Sequence, residues 1–243
     1  MFWYIGIVWF FLLWASAISA HEPIQLDAHR ATAGLRLELR EVPPTTDPAT
    51  VRYRLQAAGL PAGTSFGVWA KHFGHPFHEV TSGFRVDESG NAIASELDEA
   101  GRPRRLDELT FEPGQYPRGA VWEVALVSAD QTLKAFAKVI PHPLTARDGP
   151  CTVSLELVSH RGKRFLVSGA GFAPGEDVST ESRFAGRVIQ KRRRISPEGL
   201  LLPEVISHED ASSTDYNARY TVEGRSCTVA VEYEWGEPAL GRH

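Results

Sequence analysis

The sequence predicts an all-β protein: two tandem two-sheet sandwiches, residues 21–145 and 146–238, behind an N-terminal export segment over residues 1–20. Three observations predict it. Stretches that alternate apolar and polar residues are bounded roughly every 8–12 residues by Gly and Pro turns. The same succession of strand, turn and strand recurs about 110 residues further along the chain. The 21 Gly and 16 Pro among 243 residues supply the many turns that short strands require. A net charge of −4 and a pI near 6.1 argue against a general nucleic-acid-binding surface, and the charge is too small and too mixed for an acidic disordered tail.

Met1 to Ala20 carries no charged side chain. Its apolar run, Phe2 to Trp14, leads into the small residues Ala15-Ser16-Ala17-Ile18-Ser19-Ala20, the order of a secretory signal with cleavage after Ala17 or Ala20. The alternative is an uncleaved anchor, although the run falls short of the about 20 apolar residues that span a bilayer. Either way the remainder is placed in the periplasm or outside the cell. Cys151 and Cys227 are the only cysteines, and one pair in an oxidising compartment most simply forms a disulfide. Closing a loop of about 75 residues contributes up to about 4.5 kcal/mol in the chain-entropy model.

The elements follow in order. Val51-Arg-Tyr-Arg-Leu55 alternates as a half-buried strand, Ala58 to Gly63 turns, and Phe66, Val68 and Ala70 mark the next strand. In the second copy Phe165 to Ser168, Gly169 to Glu176 and Asp177 to Thr180 repeat that order. Phe84 to Gly90 matches Arg193 to Gly199, each a strand running into a turn that closes on Gly. Tyr116 to Val124 aligns with Tyr216 to Val222, which places Trp122 and Tyr220 at matching core positions. Both copies end in alternating strands, Thr132 to Val139 and Cys227 to Tyr233. Ala94 to Leu109 is the one helix candidate, but Gly101 and Pro103 interrupt it and a long loop serves as well. Ile140-Pro-His-Pro143 opens a junction that runs to Gly149-Pro150 and reads as a stiff linker.

The segment Gly169-Ala-Gly171-Phe172-Ala-Pro174-Gly175-Glu176-Asp-Val178 resembles the Gly-x-Gly-Phe-x-Pro-Gly-Glu-x-Val stretch of Ig-like domains in bacterial secreted and surface proteins. The second copy fits over about 85 residues. The first keeps Gly59 and Gly63 but carries Pro61 one position early and lacks the Glu. The resemblance implies tandem Ig-like sandwiches. It leaves function open, because such domains serve as spacers, adhesins, carbohydrate-binding modules and enzyme appendages.

Four places carry candidate chemistry. His72-Phe-Gly-His75-Pro-Phe-His78 lies on a Gly/Pro-bent loop that can turn imidazoles inward towards a metal, the alternative being three solvated loop histidines. The aligned stretch Arg183-Phe184-Ala185-Gly186-Arg187-Val188 keeps the Phe without any His, so the sandwich does not need them. Cleavage after Ala20 makes His21 the first mature residue, whose amine and imidazole chelate copper. With His72, His75 or His78 added, the set resembles the histidine brace of copper-carrying sandwich proteins and oxidative polysaccharide-cleaving enzymes, although Glu22-Pro23 departs from those families. Lys191-Arg192-Arg193-Arg194, within the strand-like stretch Val188 to Ile195, either guards an edge strand against aggregation or attaches an anionic polysaccharide or envelope surface. Trp69, beside the histidine loop, is a sugar-stacking platform or a buried core residue.

No nucleophile elbow, phosphate loop, zinc-protease motif or calcium-loop spacing is present. The expected protein is therefore an exported, non-catalytic binding or structural module of the cell envelope, with anionic polysaccharide, envelope surface or another protein as partner. The alternative is a periplasmic copper-binding protein built on His21.

Overall fold

The computed structural model describes residues 26, 31–43, 51–97, 101–209 and 213–241; the export segment and His21 lie outside them. Regular structure in the described residues is β-strand, apart from single 3-10 turns at Leu106–Glu108 and Pro238–Leu240. No helix among these residues is long and apolar enough to cross a membrane. The chain is an all-β protein.

The first half contains β1 (Arg36–Val42), β2 (Arg52–Ala58), β3 (Ser65–Lys71), β4 (His78–Val86), β5 (Ala92–Leu97), β6 (Pro103–Arg105), β7 (Thr110–Phe111), β8 (Trp122–Ser128) and β9 (Lys134–Val139). The second contains β10 (Leu144–Asp148), β11 (Cys151–Leu157), β12 (Arg164–Ala170), β13 (Asp177–Phe184), β14 (Arg187–Arg194), β15 (Leu201–Ser207), β16 (Asn217–Glu223) and β17 (Thr228–Glu234). Four antiparallel sheets result, ordered β1-β2-β7, β6-β5-β4-β3-β8-β9, β10-β11-β12-β15 and β14-β13-β16-β17. Alternation decides which face is buried: in β11 the odd-numbered positions Cys151, Val153, Leu155 and Leu157 point into the core and the residues between them do not.

The repeat extends to individual hydrogen bonds. Val86 N–H donates to Thr64 O at 2.9 Å, and Ile195 N–H donates to Glu176 O at 2.8 Å. Both following turns close alike, Gly90 N–H onto Asp87 O and Gly199 N–H onto Ser196 O. Asp87 Oδ1 and Ser196 Oγ each accept backbone N–H groups inside their turn, the local bonding that makes these residue types turn formers. Gly59 and Gly171 occupy the same place, with φ of +77° and +84°. A Cβ on either would stand 2.2 Å from Gly34 O or 2.0 Å from Pro150 O, so the chain passes too close for any side chain. Phe172 is buried, and Glu176, only 2% exposed, accepts the Ala173 N–H and the Arg225 N–H at 2.9 Å each. In the first half Thr64 stands where Glu176 does and Pro61, which has no N–H, where Ala173 does, so the first of those bonds has no counterpart there.

The halves diverge after the shared turn. β5 stays beside β4, whereas β15 crosses to the other sheet and pairs with β12, placing Leu201 and Ile206 in the core. In the first half the position beside the second strand is taken by β7, which pairs with β2. The stretch from Ala94 to Leu109 is accordingly the end of β5, β6 and a 3-10 turn, with residues 98–100 outside the described set. The proline-rich junction also differs from a linker. Pro141 and Pro143 end the β9 ladder, but Leu144 is buried and β10 pairs with β11 over five residues. Gly119 N–H donates to His142 O and Leu157 N–H to Gly119 O, which ties the two halves by backbone.

Trp122 and Tyr220 are both buried at their matching positions. Cys151, the first residue of β11, is bonded to Cys227, next to the start of β17, across a Cα–Cα distance of 6.4 Å. Nothing in the sequence marks His208, yet it is 1% exposed, packed among Phe165, Phe184, Tyr233 and Trp235, with Nε2 2.9 Å from the Tyr233 hydroxyl. Burial pushes its pKa from 6.5 down to about 4. The unfolded chain therefore binds the extra proton first. Stability from this group is fully present above pH 6.5 and is lost as pH falls towards 4. From about pH 7.5 to about pH 5 the loss is about 2 kcal/mol. Urea unfolding midpoints at those two pH values check this, and His208→Gln is expected to remove most of the difference.

Candidate functional site

The connection between β3 and β4 holds His72 and His75, and His78 opens β4. His75 N–H donates to His72 O at 2.9 Å, and Gly74, at φ +79°, bends the loop. With Tyr116, Pro117 and His160 from the turn between β11 and β12, these residues line an open cleft of about 690 Å³. Tyr116 is fixed by donating its hydroxyl to Val121 O at 2.7 Å, and its ring lies 6.0 Å from that of His72. Burial lowers the His72 pKa first, and the neighbouring charges of His78 and His75 lower it further. The cleft is thus biased towards neutral imidazole at His72.

Neutral imidazole suits a metal, but the ring geometry does not. The His72 and His78 rings stack, 5.4 Å between centroids and 15° between planes. Ring nitrogens donate in the ring plane, so parallel faced rings direct their lone pairs past each other. Among the described residues no group of three or more His, Cys, Asp or Glu is placed to hold a metal ion. His21, on which the copper brace rests, lies outside those residues.

Trp69 is separated from this cleft. It is half-buried, packs on Phe77, Ala125 and Val127, and borders a different hollow with Glu79 and Gln131. Only two residues lie between Trp69 and His72, yet strand alternation and the loop bend put them on different surfaces.

The basic run forms the second half of β14, the outer strand of its sheet. Seven of its eight residues are exposed. Register divides the run between two faces. Arg187, Ile189, Lys191 and Arg193 sit opposite the core-facing Phe184, Ser182, Thr180 and Val178, and Val188, Gln190, Arg192 and Arg194 face outward. Lys191 and Arg193 converge on Glu204 of β15, and Arg193 also donates to Leu202 O. That cluster closes the open side of the sandwich, a structural duty for half of the run. Arg194 lies 3.6 Å from Asp177, both well exposed, and such surface pairs contribute little.

Beyond the hairpin tip the sheet end forms an open cleft of about 700 Å³ containing Arg118, Arg183, Arg187 and Arg219, residues that the sequence does not single out. Arg183 and Arg219 are cross-strand neighbours, and their charges are offset by Glu181 and Glu232. Only the long-range pairing of β13 with β16 brings them together.

No family model matches the chain, and no curated protein matches it. Among solved structures the chain is similar to a tetra-tandem repeat from the extending region of a large adhesion protein, at 12% identity and a TM-score of 0.29, covering 83% of this chain and 48% of that one. It is also similar to a bacterial ice-binding adhesin described for host cell surface retention, at 12% identity and a TM-score of 0.23, covering 84% and 65%. The chain spans less than two thirds of either structure.

Proposed function

We propose that this chain is an exported, non-catalytic binding or structural module of the bacterial cell envelope. In this reading two tandem Ig-like sandwiches, the second beginning with β10 at Leu144, engage an anionic partner through the edge strand β14. One observation carries it. β14 ends in four successive cations, Lys191, Arg192, Arg193 and Arg194, and among the described residues the carboxylates paired with them are Asp177 and Glu204. The strand buries almost nothing, and with Lys191 and Arg193 engaged by Glu204 it still displays Arg192 and Arg194 as a surplus of positive charge along one rim.

The reading is tested on a sulfated-dextran column at low salt, where the protein is expected to be retained and to elute as salt screens the contact. Arg192 faces solvent outside the Glu204 cluster, so Arg192→Glu is expected to elute at clearly lower salt with an unchanged melting temperature. Absence of retention, or identical elution of Arg192→Glu, would contradict it.

A further inference from the structure

The outer rim of β14 offers backbone as well as charge. β13 and β14 pair over eight successive residues, Asp177↔Arg194 to Phe184↔Arg187, without a bulge. Their two-residue turn has positive φ at both Ala185 and Gly186, 48° and 72°, the twist of a tight hairpin whose closing residues exchange hydrogen bonds. At the far end Ile195 N–H donates to Glu176 O, which gives the same alternation from the other side. Arg187, Ile189, Lys191 and Arg193 therefore bond towards β13. The N–H and C=O groups of Val188, Gln190, Arg192 and Arg194 point away from the sheet, along an exposed rim.

Such a rim is a template for one more strand. Its charge selects the strand. A second copy of β14 would bring five cations against five, whereas an acidic segment meets cations on whichever face its carboxylates take. Val188 and Ile189, 55% and 43% exposed, lie on opposite faces near the tip and offer apolar cross-strand contacts there. A polysaccharide can meet the cations, but its backbone has no alternating donors and acceptors at strand spacing.

We infer that β14 recruits an extended, acidic polypeptide segment as an added edge strand, bound through the outward backbone groups of Val188, Gln190 and Arg192 and through the flanking cations. This rests on the anionic-partner reading and specifies the partner.

The probe is an alternating Glu-Val decapeptide, with the Lys-Val peptide of equal length as control. Binding of the acidic peptide is expected to slow amide exchange at Val188, Gln190 and Arg192 in the unmodified protein, and the Lys-Val peptide is expected not to bind. Gln190→Pro removes one outward donor without touching the backbone bonds to β13, and proline is tolerated at such edge positions; the side-chain bond from Gln190 to Glu181 is lost equally in Gln190→Ala. It should weaken peptide binding by about tenfold or more, while Gln190→Ala does not. Peptide binding without slowed exchange at those amides, or equal affinity in Gln190→Pro, would overturn the added strand and indicate attachment by side chains. Retention on sulfated dextran with no peptide binding would overturn it too while leaving the anionic-partner reading intact. Loss of both would remove both.

Discussion

Gly171→Ala is expected to destabilise the protein by about 3 kcal/mol or more, with Gly149→Ala costing about 1 kcal/mol as its control. Both glycines have positive φ, +84° and +56°, so both substitutions force a Cβ into left-handed backbone. The difference lies in what the Cβ meets. At Gly149 nothing lies within 4 Å, but at Gly171 the new atom would stand 2.0 Å from Pro150 O and 2.7 Å from its carbonyl carbon. That obstacle is backbone, held at the start of β11 next to the disulfide, and it has no rotamer into which to retreat. The turn and β11 must move apart. Phe172, Glu176 and the β11–β12 ladder are carried with them. Chemical denaturation of the two variants separates the terms, and equal losses would show that the close approach is not there.

Replacing both Cys151 and Cys227 by Ala is expected to cost about 2–4 kcal/mol. The cross-link joins residues 76 apart, a long loop whose closure restricts the unfolded chain. In the folded state both half-cystines are buried, and Thr228 N–H donates to Asp148 Oδ2 beside them at 2.8 Å, so β10, β11 and β17 meet at this point. The effect is read by comparing urea midpoints of the oxidised protein and the double variant. A change below about 0.5 kcal/mol would mean that the bridge constrains nothing the fold does not already fix.

Local features were readable from the chain. Val51 to Leu55 announces β2, the Gly-Phe-Pro-Gly-Glu segment announces its own turn, and the lone cysteine pair is the bridge. The basic run is an edge strand as its charge suggested, because cations on an edge avoid the burial that a central strand would impose. What escaped depends on pairing between distant residues. Turns with the same hydrogen bonds at Asp87 and Ser196 feed β5 and β15 into different sheets, and β7 takes beside β2 the place that β15 takes beside β12. β10 hides in a proline-rich stretch because a five-residue edge strand needs only one buried anchor, Leu144. His208 looks like any loop histidine until Phe165, Phe184 and Trp235 close around it. The division of labour within Lys191 to Arg194 is equally long-range, since Glu204 claims Lys191 and Arg193 from another sheet.

If the exposed rim of β14 holds an anionic partner, binding must depend on salt. The dissociation constant of the purified protein for sulfated dextran, measured by calorimetry across rising salt, should weaken steeply for the unmodified chain. In Arg192→Glu it should start weaker and respond less. A constant indifferent to salt, or one identical in the two proteins, would contradict the account.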